Sequence, residues 1–233
     1  MAKKIKQIII ALATEGSSDH RFLPNIIQRT FERVALDDEQ EIEIFDPICL
    51  PQISGENIRE KAKKYAIQAV EKGAMVLCFH ADADDKTDKN AFKERINPAF
   101  NAIKSDERDL CKNLVAIVPI QMTEAWILAD KELLKKELCT NKSDSELAID
   151  KEPESFSNPK ETIKNAINKA REGMTKRYRN KLKIDDLYSP LGTKIPLSKL
   201  ESLSSYKKFE KAVRDIFPQL TKVNNIEDNP DET

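Results

Sequence analysis

The sequence predicts an α/β fold: a mostly parallel sheet flanked by helices, with a helical C-terminal lobe. Two observations predict it. From the N-terminus to about residue 139, apolar runs of strand length alternate with amphipathic stretches of helical period, in the order β-α-β-α-β-α-β-α. Beyond Leu138 the residues from Thr140 to Pro159 turn polar and rich in Ser, Pro and acid, and no strand-like run follows. The expected division is therefore 1–139 for the α/β domain, 140–220 for a helical lobe packed on it, and 221–233 for a flexible tail.

Each element has its own warrant. Gln7 to Ala13 is apolar on both faces and β-branched at Ile8, Ile9 and Ile10, as a buried strand requires. It ends at Thr14-Glu15-Gly16-Ser17-Ser18-Asp19-His20. Ser17 or Ser18 is placed to cap a helix carrying Phe22, Leu23, Ile26, Ile27, Phe31 and Val34, with Pro24 early in it. Asp37 to Gln40 reads as a polar loop. Ile42, Ile44 and Ile48 follow as a second strand, and Ser54-Gly55 opens a helix with Ile58, Ala62, Tyr65, Ala69 and Val70 on one face, closed by Gly73. The third strand, Ala74 to His80, stops abruptly in Ala81-Asp82-Ala83-Asp84-Asp85. A helix from about Lys89 to Lys104 follows, with Pro98 as a kink. Leu114 to Ile120 is the fourth strand, and Thr123 is placed to cap a helix running through Glu124, Trp126, Asp130 and Leu134. Helices at Ile163 to Ala170 and Tyr206 to Phe217 complete the pattern.

Composition sets outer limits. At 233 residues, 39% hydrophobic and 34% charged, the chain can bury one sizeable core. A formal net charge of -1 neither demands nor excludes nucleic acid, because a local basic groove can exist on a neutral protein. Cys49, Cys78, Cys111 and Cys139 are far apart and form no C-x-x-C pair. They read as reduced thiols of a cytoplasmic protein. The apolar run Ile8 to Ala13 is too short for a signal segment or a membrane span.

Acids fall after three different strands: Glu15 and Asp19 after the first, Asp82, Asp84 and Asp85 after the third, Glu124 after the fourth. In a parallel sheet those strand ends share one rim, where open α/β sheets bind ligands. Asp82 and Asp84 stand two apart, so one further extended step would send both carboxylates to the same face. Two such charges need a remedy, either a hard cation such as Mg²⁺ or Mn²⁺, one or two ions, or a proton. A carboxylate-held metal facing a phosphate is the chemistry of metal-assisted phosphodiester cleavage. His80, inside an apolar run, reads as a hydrogen-bonded core histidine, and His20 as a capping or surface one with a smaller prospect of lining the site. Trp126 reads as core rather than a base-stacking platform.

These residues carry a resemblance. Glu15-Gly16 in a strand-to-helix turn, followed by a hydrophobic strand and Asp82-x-Asp84, resembles the Toprim domain, a Rossmann-like fold found in topoisomerases, bacterial primases and the overcoming-lysogenization-defect nucleases. With Glu15-Gly16-Ser17-Ser18-Asp19, Phe22-Leu23, Asp82-Ala83-Asp84-Asp85 and Glu124-Ala125-Trp126-Ile127-Leu128-Ala129-Asp130, the chain looks like a bacterial family of small Toprim-like proteins of unassigned function. Pro153-Glu154, Asn158-Pro159-Lys160 and Tyr206-x-x-Phe209 fit that family's C-terminal half. The resemblance implies Glu15 as general acid or base and metal contact, Asp82 and Asp84 as Mg²⁺ ligands and Asp19 as a further ligand. Asp85 and Glu124 are additions to that set. It also implies an ABC-type ATPase partner in an anti-phage or toxin-like setting.

No tyrosine among Tyr65, Tyr178, Tyr188 and Tyr206 is marked as a strand-transfer nucleophile, and no zinc module is present in the sequence, so hydrolysis by activated water is the expectation. The dense basic stretch Lys176-Arg177-Tyr178-Arg179-Asn180-Lys181-Leu182-Lys183 is either a solvated face or a patch that tracks phosphates, with Tyr178 available to stack on a base. Three functions follow. The first is a metal-dependent nuclease acting on DNA or RNA. The others are an inactive Toprim-like adaptor for an ATPase or nucleic acid, and a phosphatase of small esters.

Overall fold

A computed structural model of the chain describes residues 6–37, 41–175 and 181–221. The sheet is parallel throughout. Its strands are β1 (Lys6–Ile8), β2 (Ile10–Ala13), β3 (Ile42–Ile44), β4 (Ile48–Cys49), β5 (Val76–His80) and β6 (Leu114–Ile117). β1 pairs with β3, and the larger sheet runs β4-β2-β5-β6. The expected strand from Gln7 to Ala13 is thus interrupted at Ile9, whose carbonyl accepts from Met75 N at 2.8 Å. The second strand is likewise two short pieces, and the fourth ends at Ile117, three residues before its expected limit. β2 is followed in the chain by β4 on one side and then by β5 on the other, so the order reverses between β2 and β5. Such a switch point opens a crevice at the carboxyl ends of the two strands.

Alternation along the strands builds two apolar layers. Ile10, Leu12, Val76, Cys78, Val115 and Ile117 join one buried cluster, which includes α1 (Asp19–Ala35). Ala11, Ala13, Leu77 and Phe79 join the other, against α2 (Ile58–Glu71) and α4 (Asn97–Lys104). Size complementarity is visible in the register: Phe79 pairs with Ala13, and its ring lies edge-on to Tyr65 at 6.0 Å.

The helix expected from Lys89 to Lys104 is α3 (Lys89–Ala91), a π-helical turn at Phe92–Ile96, and then α4. Pro98 has no N–H to give a preceding carbonyl, and it falls at the start of α4, where the wide turn has closed. Expectations about where helices start and stop are corrected at α1, at α2 and after Thr123. The helix after Ser54-Gly55 begins later, capped by Asn57 Oδ1, which accepts from Arg59 N and Glu60 N at 3.0 Å, while Gly55 occupies a left-handed turn (φ 77°). Ser18 stands at the N-cap of α1 without a side-chain bond to the helix. The single helix expected from Glu124 to Leu134 is α5 (Glu124–Ile127) and α6 (Lys131–Glu137), because Asp130 Oδ1 accepts from Leu133 N at 3.0 Å and starts a new one.

The C-terminal helices are α7 (Asp144–Leu147), α8 (Pro159–Ala170), α9 (Tyr188–Lys194), α10 (Leu197–Leu200) and α11 (Ser204–Thr221). Their buried residues belong to the same cluster as α1 and its sheet face, so these helices complete that layer. Glu154 holds the start of α11: Oε2 accepts from Ser204 N and Oε1 from Ser205 N, each at 3.0 Å, and Ser205 Oγ accepts from the buried Trp126 indole at 2.8 Å. Trp126 and Tyr206 then meet edge-to-face at 5.5 Å, which makes Trp126 a core residue. α9 crosses α1 so closely that a Cβ on Gly192 would lie 2.6 Å from the Phe22 carbonyl oxygen. No described helix is long and apolar enough to cross a membrane.

Candidate active site

The turn after β2 is built around one close approach. Thr14 Oγ1 donates to the Gly16 carbonyl at 2.9 Å, and Gly16 N donates to Asp19 Oδ2 at 3.1 Å. A Cβ at residue 16 would stand 2.7 Å from that same oxygen, so only glycine lets the carboxylate fold back over the turn. Asp19 is consequently buried in the first turn of α1, where the helix dipole favours its charge. Glu15 remains exposed, its backbone carbonyl held by Gln52 Nε2 at 2.8 Å and its side chain turned toward β5.

Arg95 meets it there. From the π-helical turn, Arg95 Nη1 lies 3.2 and 3.3 Å from the two Glu15 carboxylate oxygens and 3.2 Å from Asp84 Oδ2, while Nη2 donates to the Asp82 carbonyl. Four acceptor oxygens contributed by Glu15, Asp82 and Asp84 therefore surround one guanidinium. The like charges that the sequence brings to this rim find their remedy inside the chain. Nothing local in the sequence marks Arg95 for this role.

The chain does not stay extended through Asp84. Its φ is 52°, and Asp84 N donates to Gln121 O at 2.8 Å, while Gln121 N donates to Asp85 O at 3.1 Å, so the loops after β5 and β6 are laced together. The two carboxylates consequently part company. Asp84 joins Glu15 at Arg95, while Asp82 Oδ1 accepts from Thr123 N at 2.9 Å and stands 3.3 Å from His80 Nε2. Thr123 does not cap α5 as expected. Its hydroxyl is used by the site, 3.0 Å from His80 Nε2. Asp85 serves its own segment, accepting from Lys86 N at 2.6 Å and Asn90 Nδ2 at 3.3 Å.

His80 is fully buried between the two aspartates, with Nδ1 3.8 Å from Asp19 Oδ2. Burial alone would lower its pKa. The hydrogen bond it donates to Asp82 and the charges of Asp19, Asp82 and Glu15 outweigh it and raise the pKa to about 9. His80 is thus the hydrogen-bonded interior histidine expected, bonded through Nε2, while its buried Nδ1 has no hydrogen-bond partner among the described residues. His20 is shifted the other way, chiefly by burial and less by the His80 charge, with Asp19 opposing. Its Nε2 is buried and has no hydrogen-bond partner among the described residues.

Glu124 is buried at the start of α5, where it accepts the Tyr188 hydroxyl and lies 3.4 Å from Lys160 Nζ. Burial and that carboxylate push the Tyr188 phenol well above its usual range, so it stays a donor. Lys160, which the sequence reading quoted only within the motif Asn158-Pro159-Lys160 and gave no role at the site, is a second cation beside Glu124. Lys176, Arg177, Tyr178 and Arg179 lie outside the described residues, and Lys181 is exposed.

A family model described as a domain of unknown function, DUF4276, matches residues 14–216. The chain belongs to that family. No curated protein and no solved structure matches it. The matched span of this DUF4276 chain holds every candidate residue from Glu15 to Lys181, and it runs from the glycine turn through the C-terminal helices.

The donor set at Arg95, carboxylates with a carbonyl oxygen, is of the kind a hard divalent cation takes. As arranged, the guanidinium holds the place between Glu15 and Asp84. Among the described residues no group of three or more His, Cys, Asp or Glu side chains is disposed to hold a metal ion. Binding one here requires Arg95 to withdraw.

Proposed function

We propose that the protein is a metal-dependent phosphodiesterase of the Toprim type, a nuclease acting on DNA or RNA, with Glu15 as its central acid. The observation that carries this reading is the meeting of Glu15, Asp82 and Asp84 around one cation at the switch point of the sheet. With Arg95 withdrawn, Glu15, Asp82 and Asp84 would hold Mg²⁺ or Mn²⁺. Such an ion supplies charge neutralisation at the phosphate and an activated water.

The chain's own groups divide the remaining work. Glu15, exposed and one of the acids that would hold the ion, is also placed to exchange a proton with the attacking water or the leaving oxygen. His80 orients Asp82 from behind, its Nε2 3.3 Å from Asp82 Oδ1, and its Nδ1 lies 3.8 Å from the buried Asp19. Arg95, released from the acids, is placed to hold a phosphate oxygen, and Lys160 adds positive charge near Glu124. By resemblance the setting is anti-phage or toxin-like, with an ABC-type ATPase as the partner that would license Arg95 to move.

A second reading is favoured by the same guanidinium. A chain whose acids are permanently neutralised by Arg95 would be a catalytically idle adaptor that binds an ATPase or nucleic acid. Glu15→Gln separates the two when cleavage of single-stranded and duplex DNA and RNA is followed with Mg²⁺ or Mn²⁺, alongside a small phosphoester. The nuclease reading expects metal-dependent cutting of polynucleotide by the wild type and its loss in the variant. Equal behaviour of the two proteins supports the adaptor, and turnover of the small ester alone supports a phosphatase.

A further inference from the structure

We infer that the cleft on the β4 side of Glu15 receives one unpaired nucleobase of the substrate strand, with Lys61 on the adjoining phosphate; this deepens the phosphodiesterase reading and rests on it. The cleft, of about 380 Å³, opens between the end of β2, the loop after β4, the first turns of α2 and the end of β5. Glu15 forms part of its wall, so whatever occupies the cleft lies next to the proposed chemistry.

Beside the polar Thr14, Gln52, Ser54 and His80, its lining has an apolar zone and a charged one. Ile53, Ile58, Tyr65 and Phe79 make an apolar wall. Ile53 and Ile58 are its half-buried part over the buried rings: the Tyr65 hydroxyl accepts from Ile53 N at 3.1 Å, and the Tyr65 and Phe79 rings pack edge-on at 78°. The second zone is charged. Ile58, Lys61 and Tyr65 stand at i, i+3 and i+7 along α2 and so share the face turned to the cleft. Lys63 is paired with Glu60 and Asp106, and Lys64 with Glu56, whereas the Lys61 ammonium has no ion-pair or hydrogen-bond partner among the described residues. The one carboxylate lining the cleft, Glu15, is already neutralised by Arg95. An unopposed cation above an apolar wall calls for a ligand with an anionic group joined to a flat apolar body, and a nucleotide is such a ligand.

The base has to be unpaired. In a duplex its faces are stacked and its edge is paired, so only a single-stranded or extruded base can reach a wall recessed behind the rim. Single-strand binders combine the same two parts, a cation on the backbone and an apolar or aromatic surface under the base.

The test is equilibrium binding in EDTA, where strands are not cut, using a labelled single-stranded oligonucleotide, the corresponding blunt duplex and a free mononucleotide. Wild-type protein is expected to prefer the single strand over the duplex by roughly tenfold or more. Lys61→Ala should weaken single-strand binding and reduce the slope of log K against log salt by about 0.7, the share of one phosphate, with Lys61→Arg restoring both. Ser54→Trp, at an exposed position of the cleft's mouth, should weaken binding roughly tenfold with the salt slope unchanged. Equal binding of duplex and strand, a mononucleotide bound as tightly as the strand, no detectable binding, or variants indistinguishable from wild type would each overturn the inference. Because these measurements need no catalysis, they are independent of whether Glu15→Gln abolishes cleavage.

Discussion

Arg95 Nη1 lies 3.2 Å from Glu15 Oε1, across 80 residues of chain, and the same nitrogen lies 3.2 Å from Asp84. A cation therefore sits at the centre of the acid rim. The account makes it a place-holder that a divalent ion must displace.

If so, removing the guanidinium should help the metal. Arg95→Ala leaves Glu15 and Asp84 as unpaired like charges, which costs up to about 1 kcal/mol at this partly exposed position and raises the demand for another cation. Mn²⁺ titration, followed by the thermal midpoint and by the spectrum of the bound ion, should show affinity rising by the order of tenfold over wild type. An unchanged or weaker Mn²⁺ affinity would mean that Arg95 does not compete for that place.

His80 links stability to pH in the metal-free protein. Its folded pKa of about 9 lies above the ordinary value of 6.5, so protonation favours the fold. The contribution is complete below about pH 6.5 and is lost as pH rises through about 9. Urea midpoints in EDTA should fall across that window, and His80→Gln should flatten the fall. A His80 imidazole resonance titrating near 6.5 would contradict its burial beside Asp19 and Asp82.

The crossing of α9 over α1 admits no side chain at Gly192. Gly192→Ala must push its methyl against the Phe22 carbonyl, one turn into the helix that begins at the glycine turn. A loss of about 1–3 kcal/mol is expected from such overpacking, read as a lower denaturant midpoint. A neutral substitution would show that the two helices are not in backbone contact.

Thiol reactivity should follow burial. Cys139 is exposed, whereas Cys78 and Cys111 are buried. Burial pushes the Cys111 thiol up to about 11 and Cys78 higher still, so both are protonated and shielded at neutral pH. A disulfide reagent should label Cys139 rapidly in native protein, Cys49 slowly, and the other two only on unfolding.

How much of this was legible in the sequence depends on the range of the physics. The order of strands and helices could be read because buried strands and amphipathic helices have different periods, and Glu15, Asp82 and Glu124 could be placed on one rim because parallel strands end together. The misread caps share a cause. Ser18 and Thr123 have the right residue type at the right place, but the Thr123 hydroxyl goes to His80 and Asp82, and at α1 the Asp19 carboxylate turns back to Gly16. Arg95 was invisible for a different reason. An ion pair between residues 80 apart leaves no local pattern, and a lone arginine in a chain with 39 Lys and Arg reads as a solvated charge. The left-handed Asp84 was equally hidden, because its conformation is set by the loop after β6.

The most direct measurement is a crystal structure of the protein grown with Mn²⁺, with the ion located by anomalous scattering. The account predicts manganese bound by Glu15 together with Asp82 or Asp84, and the Arg95 side chain swung away from them. Manganese bound elsewhere, with Arg95 still joining Glu15 to Asp84, would contradict it.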